Sequence, residues 1–299
     1  MPMLAKIQES ERNATLSRFS HIKMWKRAEE RAPHKPLLIL LEFSRFFRGE
    51  PRLVTFKELC PTLSLLLLRY GPPRKSVHPE YPFFRLQNDG VWEVQSDQPL
   101  IARQSNTDPL KSELLKKNAM GGFPSDVWEA LQRNEGLAQQ IVSSVLELNF
   151  PDTMHADIRS DLGFDICTPT PERDPEFRQR VLDAYGHECA VCGYNARICG
   201  TEFGLEAAHI QWHMRGGTSH PSNGIALCTL HHKALDYGAI GITEENRVLI
   251  SSQMHGTTGQ WFDEFKFQSL RSANRRDWQP SIASIRWHAK EVFRGPAKD

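Results

Sequence analysis

The sequence predicts an α+β chain in two domains. Three observations carry this: apolar stretches of helical length in the first half, short turn-bounded strand candidates with no alternation of strand and crossover helix, and an acidic, proline-punctuated stretch between them. A chain of 299 residues is long enough for two cores of ordinary domain size. The expected division is residues 1–150, a linker over 151–174, and residues 175–299.

The first 19 residues carry no clear pattern, and residues 20–31 are charged and helix-compatible. Residues 36–47 read as a buried helix, with Pro36 in the first turn, where its missing N–H is harmless, and Gly49 just beyond the end. Residues 55–70 form a second, stopped by Gly71-Pro72-Pro73. Asn88-Asp89-Gly90 separates two apolar stretches, 83–86 and 91–94, and predicts a β-hairpin. Residues 125–148 show the periodicity of one long amphipathic helix. Further helices are expected over 175–185 and 228–237. The sequence has no internal repeat and no low-complexity tract.

Two pairs of metal-ligand residues stand in the second half: Cys189 with Cys192, and Cys228 with His231. Zinc prefers four tetrahedral sulfur and nitrogen ligands, and these four close such a site with no open position, so the zinc is structural. Cys199 lacks a partner at that spacing. Between the pairs lie Leu205-Glu206-Ala207-Ala208-His209-Ile210 and Ser222-Asn223-Gly224, and His232 follows directly. The order His209, Asn223, His232 on this frame resembles the HNH (ββα-metal) endonuclease family. The resemblance implies that His209, ending the first strand of a hairpin, is the general base that activates water. It implies that Asn223 holds the loop positioning His209, and that His232 ligates a catalytic Mg2+ or Mn2+, an ion separate from the zinc and open to water and substrate. Many members of that family carry an aspartate ligand just before the first histidine; here Ala208 stands there, leaving the second protein ligand open. Asp236, one helical turn beyond His232, is a candidate ligand or partner of that histidine. Glu206 is set aside because strand alternation sends it to the face opposite His209. His187, His213 and His220 default to satisfied or exposed side chains, and Cys60 and Cys167 to ordinary thiols.

In the first half, four strings occur in order: Pro33-His34-Lys35-Pro36, His78-Pro79-Glu80-Tyr81-Pro82-Phe83, Asn88-Asp89-Gly90-Val91-Trp92, and Asn118-Ala119-Met120-Gly121-Gly122-Phe123. Together they resemble the sulfur-binding domain of phosphorothioate-dependent type IV restriction endonucleases, which in that family sits upstream of an HNH domain. The partner so implied is double-stranded DNA in which sulfur replaces a non-bridging phosphate oxygen. Sulfur is larger and less strongly hydrated than oxygen, so an apolar pocket accepts it at a smaller desolvation cost. Tyr81 and Pro82 suit the wall of such a pocket, and Gly121 and Gly122, ahead of Phe123, permit close backbone approach. His34, Lys35, Arg74, Lys75 and His78 are candidates to hold flanking phosphates, and Asn118 to read a base edge or bind phosphate.

Composition agrees with a DNA-acting chain. The net charge of +1 conceals an asymmetry: residues 1–117 hold 20 Lys and Arg against 13 Asp and Glu, whereas residues 151–174 hold two against six. The first half is therefore the expected polyanion surface. No signal segment opens the chain, and the longest apolar run, residues 63–68, is far too short to span a membrane. Metal explains three of the six cysteines, so no disulfide is needed and a reducing, cytoplasmic location is expected. Two other readings stay open: an HNH endonuclease that reads methylated or otherwise modified DNA, and a non-catalytic zinc-stabilised DNA-binding protein. Whether the chain works as a homodimer is also left open.

Overall fold

The computed structural model describes residues 2–20, 22, 26–27, 30–31, 33–101, 108–163, 175–257 and 259–299. Internal contacts divide the chain into two units, residues 1–150 with 155–169, and residues 151–154 with 170–299.

The first unit opens with α1 (Pro2–Ser20) and a short hairpin, β1 (Lys26–Arg27) and β2 (Glu30–Arg31). It continues through α2 (His34–Phe47), β3 (Val54–Thr55), α3 (Phe56–Tyr70) and α4 (Glu80–Arg85), the last running into a 3-10 turn over Leu86–Asp89. Then come β4 (Glu93–Gln95), α5 (Lys111–Lys116), β5 (Met120–Gly122), α6 (Ser125–Arg133), α7 (Leu137–Asn149) and α8 (Asp152–Leu162), of which residues 152–154 count with the second unit. Strands β3, β5 and β4 form an antiparallel sheet in that order, with Val54 opposite Gly121 and Glu93 opposite Gly122. Helix α2 is the centre of this unit: every residue from Pro36 to Arg45 is buried, and α3, α4 and α7 pack around it. A helix apolar on all sides has no solvent face to offer, and this one takes none. The two charged residues within that buried run, Glu42 and Arg45, pair at 2.8 Å; burial pushes the Glu42 carboxyl up to about 7 although Arg45 opposes it. Helix α3 starts where its sequence says, because Thr55 and Glu58 form a reciprocal capping box. The rings of Phe19, Phe43, Phe123 and Trp92 fill the space beside α2.

Four stretches differ from the sequence-based expectation. The first helix covers Pro2–Ser20 rather than residues 20–31, where the described residues pair as β1 and β2. The hairpin expected over 83–94 does not form. Pro79 caps a helix there instead, and Phe83 and Leu86, three residues apart and both fully buried, follow helical rather than strand spacing. Gly90, in the left-handed region at φ 71°, ends the 3-10 turn, and residues 93–95 pair with β5. The long helix expected over 125–148 is two helices, parted at Gly136, whose φ of 77° no continuing helix permits. Finally, much of the stretch read as an acidic linker is helix α8, with Ile158 and Leu162 buried one turn apart. Residues 164–174, which include Cys167, lie outside the described residues.

The second unit contains α9 (Pro175–Ala184), a hairpin of β6 (Arg197–Ile198) and β7 (Thr201–Glu202), and a longer hairpin of β8 (Leu205–His209) and β9 (Gly224–Cys228). Helix α10 (Thr229–Asp236) follows directly, then a hairpin of β10 (Ile240–Ile242) and β11 (Val248–Ile250), α11 (Gly259–Asp263) and α12 (Ile282–Glu291). Both α9 and α10 pack on the β8–β9 hairpin. Val181, Leu182, Ala208, Ile225, Leu227, Leu235 and Ile250 are among the buried residues that join these elements.

Candidate active site and nucleic-acid interface

Cys189, Cys192, Cys228 and His231 converge in the second unit, their ligand atoms all within 4.8 Å of one another. Cys228 closes β9 as the N-cap of α10, so the strand-to-helix turn delivers both Cys228 and His231. His231 Nδ1 lies 3.6 Å from Cys189 Sγ and 3.2 Å from Cys228 Sγ, and Cys192 and Cys228 are 4.0 Å apart. A tetrahedral zinc with metal–ligand distances of about 2.0–2.3 Å asks for separations of this order. The four groups also bias one another's protonation. Hydrogen bonds from Cys192 and Cys228 hold the Cys189 thiol far below its ordinary range, while hydrogen bonding to Cys189 and Cys192 drives Cys228 far above it. Three sulfurs at this spacing do not all ionise without a cation among them. Burial works against a charge on His231, but Cys189 and Cys192 outweigh it and raise that imidazole to about 9. The rings of Trp261, Phe262 and Phe265 surround His231, so the outer side of the cluster is apolar.

The three histidine-motif residues occupy one hairpin and the helix after it. His209 ends β8, opposite Gly224, and its ring stacks on Phe177 of α9 with centroids 4.0 Å apart. Asn223, only 3% exposed, is bonded entirely to the loop that follows His209. Its Oδ1 accepts from Gln211 N–H, and its Nδ2 donates to the carbonyls of Gln211 and Thr218, each at 2.9 Å. His232, on α10, stands between two carboxylates: Nδ1 is 2.6 Å from Glu206 Oε2 and Nε2 is 3.3 Å from Asp236 Oδ2. Asp236 is 2% exposed, accepts from Trp212 Nε1 at 2.9 Å and from Thr153, and burial pushes its carboxyl above the ordinary value. His213 lies near the site, its ring centroid 6.0 Å from that of His209. His187 pairs with Asp183 and Glu202, His220 caps the turn at Pro221–Asn223, and Cys199 is exposed and outside the cysteine cluster.

In the first unit, His34, Arg74, His78, Tyr81 and Arg85 gather. His34 starts α2; burial, then the positive charges of Arg74, His78 and Arg85, lower it to about 4, so it is neutral at pH 7. It therefore adds no charge to this cluster at neutral pH. His78 stacks on Tyr81 at 4.8 Å, Arg85 lies over the same ring at 4.7 Å, and Pro82 is buried behind it. Lys75 is exposed beside Arg74. Lys35 is paired with Asp89 at 2.5 Å, and Asn118 Nδ2 donates to Asp97 at 2.8 Å. Gly121, Gly122 and Phe123 are packed into the fold, the two glycines at positions where no side chain fits. A Cβ at Gly121 would fall 2.5 Å from the Trp92 ring and one at Gly122 would fall 1.9 Å from the Arg52 carbonyl, while Phe123 is fully buried.

A family model described as the ScoMcrA-like DNA sulfur-binding domain matches residues 12–166, more than half of the chain. The chain belongs to that family. An HNH endonuclease family model matches residues 189–243, both zinc pairs and the histidine motif included. The second unit is thus an HNH domain, and the chain is a metal-dependent DNA nuclease. Among solved structures, the sulfur-binding domain of ScoMcrA complexed with phosphorothioated DNA is similar at 21% identity, with a TM-score of 0.44 over 50% of this chain and 94% of that one. The corresponding domain of SprMcrA, also complexed with phosphorothioated DNA, is 20% identical, with a TM-score of 0.44 over 51% and 93%. The type IV phosphorothioation-dependent restriction endonuclease ScoMcrA is 19% identical, with a TM-score of 0.43; the match covers 50% of this chain and 32% of that one. A search of curated proteins returns no match.

The sulfur-binding domain match runs past residue 150 into α8, in keeping with the buried residues of that helix. Sequence reasoning passed over four residues that the structure places beside these sites. Arg85 had a signal, its position four residues after Tyr81 on one helix. Glu206 had one too, since it shares a strand face with position 208. Phe177 and Trp212 had none, because their partners come from distant elements. Among the described residues no helix is long and apolar enough to cross a membrane.

Proposed function

We propose that the chain is a type IV restriction endonuclease that recognises phosphorothioate-modified double-stranded DNA through its sulfur-binding domain and hydrolyses nearby phosphodiester bonds through its HNH domain. The observation that carries this is the presence of both family matches on one chain, residues 12–166 and 189–243. Tyr81, next to buried Pro82, supplies apolar surface for the sulfur, neutral His34 a hydrogen bond, and Arg74, Lys75 and His78 contacts to the phosphates. Hydrated oxygen is disfavoured against such a surface, which gives discrimination without base reading.

In the HNH domain His209 is the general base: Phe177 fixes its ring plane, and Asn223 fixes the loop behind it. Cys189, Cys192, Cys228 and His231 would hold a structural zinc. His232 would hold a catalytic Mg2+ or Mn2+, which supplies positive charge at the scissile phosphate. The test is cleavage of one duplex, with and without a single phosphorothioate of defined stereochemistry, by zinc-loaded protein with Mn2+. The modified duplex alone is cut if both assignments hold. Equal cutting of the two sinks the reader, and cutting of neither sinks the nuclease.

A further inference from the structure

We propose that Glu206 is the carboxylate that shares the catalytic cation with His232, and that Asp236 is a positioning residue behind the imidazole. The proposal rests on the nuclease reading above and completes the ligand set that Ala208 leaves short. Ala208 offers no donor and is fully buried. Residues 206 and 208 alternate to the same face of β8, where they stand opposite Leu227 and Ile225 of β9. A carboxylate at 206 is therefore directed to the same side as one at 208, a single strand pair away. Opposition to His209 does not disqualify it, because the residue just before His209 is on that opposite face as well.

The two carboxylates that flank His232 are not equivalent. Asp236 is sealed: its side chain is 2% exposed and bonded to Trp212 and Thr153. Glu206 is 22% exposed and His232 11%, so the edge they share reaches solvent. A catalytic cation needs open positions for water and substrate, and only the Glu206 side offers them. Carboxylate oxygen and imidazole nitrogen suit a hard divalent ion. A metal-bound histidine commonly donates its other ring N–H to a carboxylate, and Asp236 is in place to receive it from Nε2. This leaves Nδ1, the nitrogen 2.6 Å from Glu206, as the ligand atom. A cation held there would displace any proton between Nδ1 and Glu206 to solvent.

The experiment is a titration of full-length, zinc-loaded protein with Mn2+ alone, in which electron paramagnetic resonance counts the free ion. Wild type takes up one Mn2+, Glu206→Gln weakens that binding at least tenfold, Glu206→Asp falls between, and His232→Ala abolishes it. Zinc content and thermal melting confirm that each variant is folded. Wild-type Mn2+ affinity in Glu206→Gln overturns the proposal, as does loss of Mn2+ by Asp236→Asn with Glu206→Gln unaffected. In both cases failure of His232→Ala to bind leaves the nuclease reading standing. If wild type binds no Mn2+, the proposal falls together with the role given to His232.

Discussion

Among the described residues the side-chain hydrogen bonds of Asn223 go to backbone groups of the loop after His209, so this residue fixes that loop. In the proposed mechanism the chemistry falls to His209. His209→Ala is expected to slow cleavage by about 10^2–10^4-fold, the usual contribution of a general base, with affinity for the modified duplex unchanged. Single-turnover cleavage beside a binding titration checks it, and a wild-type cutting rate would remove the HNH mechanism. His34 sets a pH dependence of its own. Its folded value, about 4, lies below the ordinary 6.5, so the stability it contributes is full above pH 6.5 and is lost as pH falls toward 4. The gap in melting temperature between wild type and His34→Gln should shrink or reverse across that window; a gap constant with pH would show that the imidazole is not desolvated. At this scale the residues legible in the sequence are those whose chemistry fixes their spacing: the zinc ligands, His209 and Asn223. Glu206 and Arg85 had only a positional signal, because the neighbour that gives each its setting is brought by the fold, His232 in one case and the Tyr81 ring in the other.

The elements divide in the same way. Helices α2, α3, α9 and α10 fall where proline, capping residues and apolar periodicity place them, since local signals and burial agree there. The failed hairpin at 83–94 shows the opposite case. Asn88-Asp89-Gly90 does make a turn, but the apolar residues before it serve α2 from a helix, and tertiary packing outweighs strand propensity. Around the cysteine cluster the elements are short, and on the proposed reading a metal ties them together. Cys192→Ser is expected to lose the zinc and melt the second unit, while the first unit keeps its own transition; a structural zinc site contributes on the order of 10 kcal/mol. Metal analysis and calorimetry check this, and full zinc retention would reject the ligand set.

For the molecule as a whole, the charge count promised more than the folded surface delivers. Residues 1–117 carry a surplus of basic side chains, 20 against 13, yet several are already engaged. Lys35 sits on Asp89, whose side chain is 1% exposed, Arg85 on Asp108, and Arg52 on Glu93. A cation held this way gives up an ion pair before it can meet a phosphate. Asp89→Asn should therefore release Lys35 and tighten binding to unmodified duplex several-fold, with a salt slope steeper by about one. Fluorescence titrations at several salt concentrations, on His209→Ala protein so that nothing is cut, would read this. An unchanged slope would mean that Lys35 never competes for phosphate.

The pairing of Lys35 with Asp89 bears on how such an enzyme lives beside a genome it must leave intact. Ordinary DNA outnumbers any modified site by orders of magnitude, and every added non-specific contact lengthens the time the protein idles there. Acids that keep the basic side chains occupied act as a brake on that idling. On the proposed function selectivity is set twice, once by the apolar surface offered to sulfur and once by what Asp89 withholds from every other stretch of duplex.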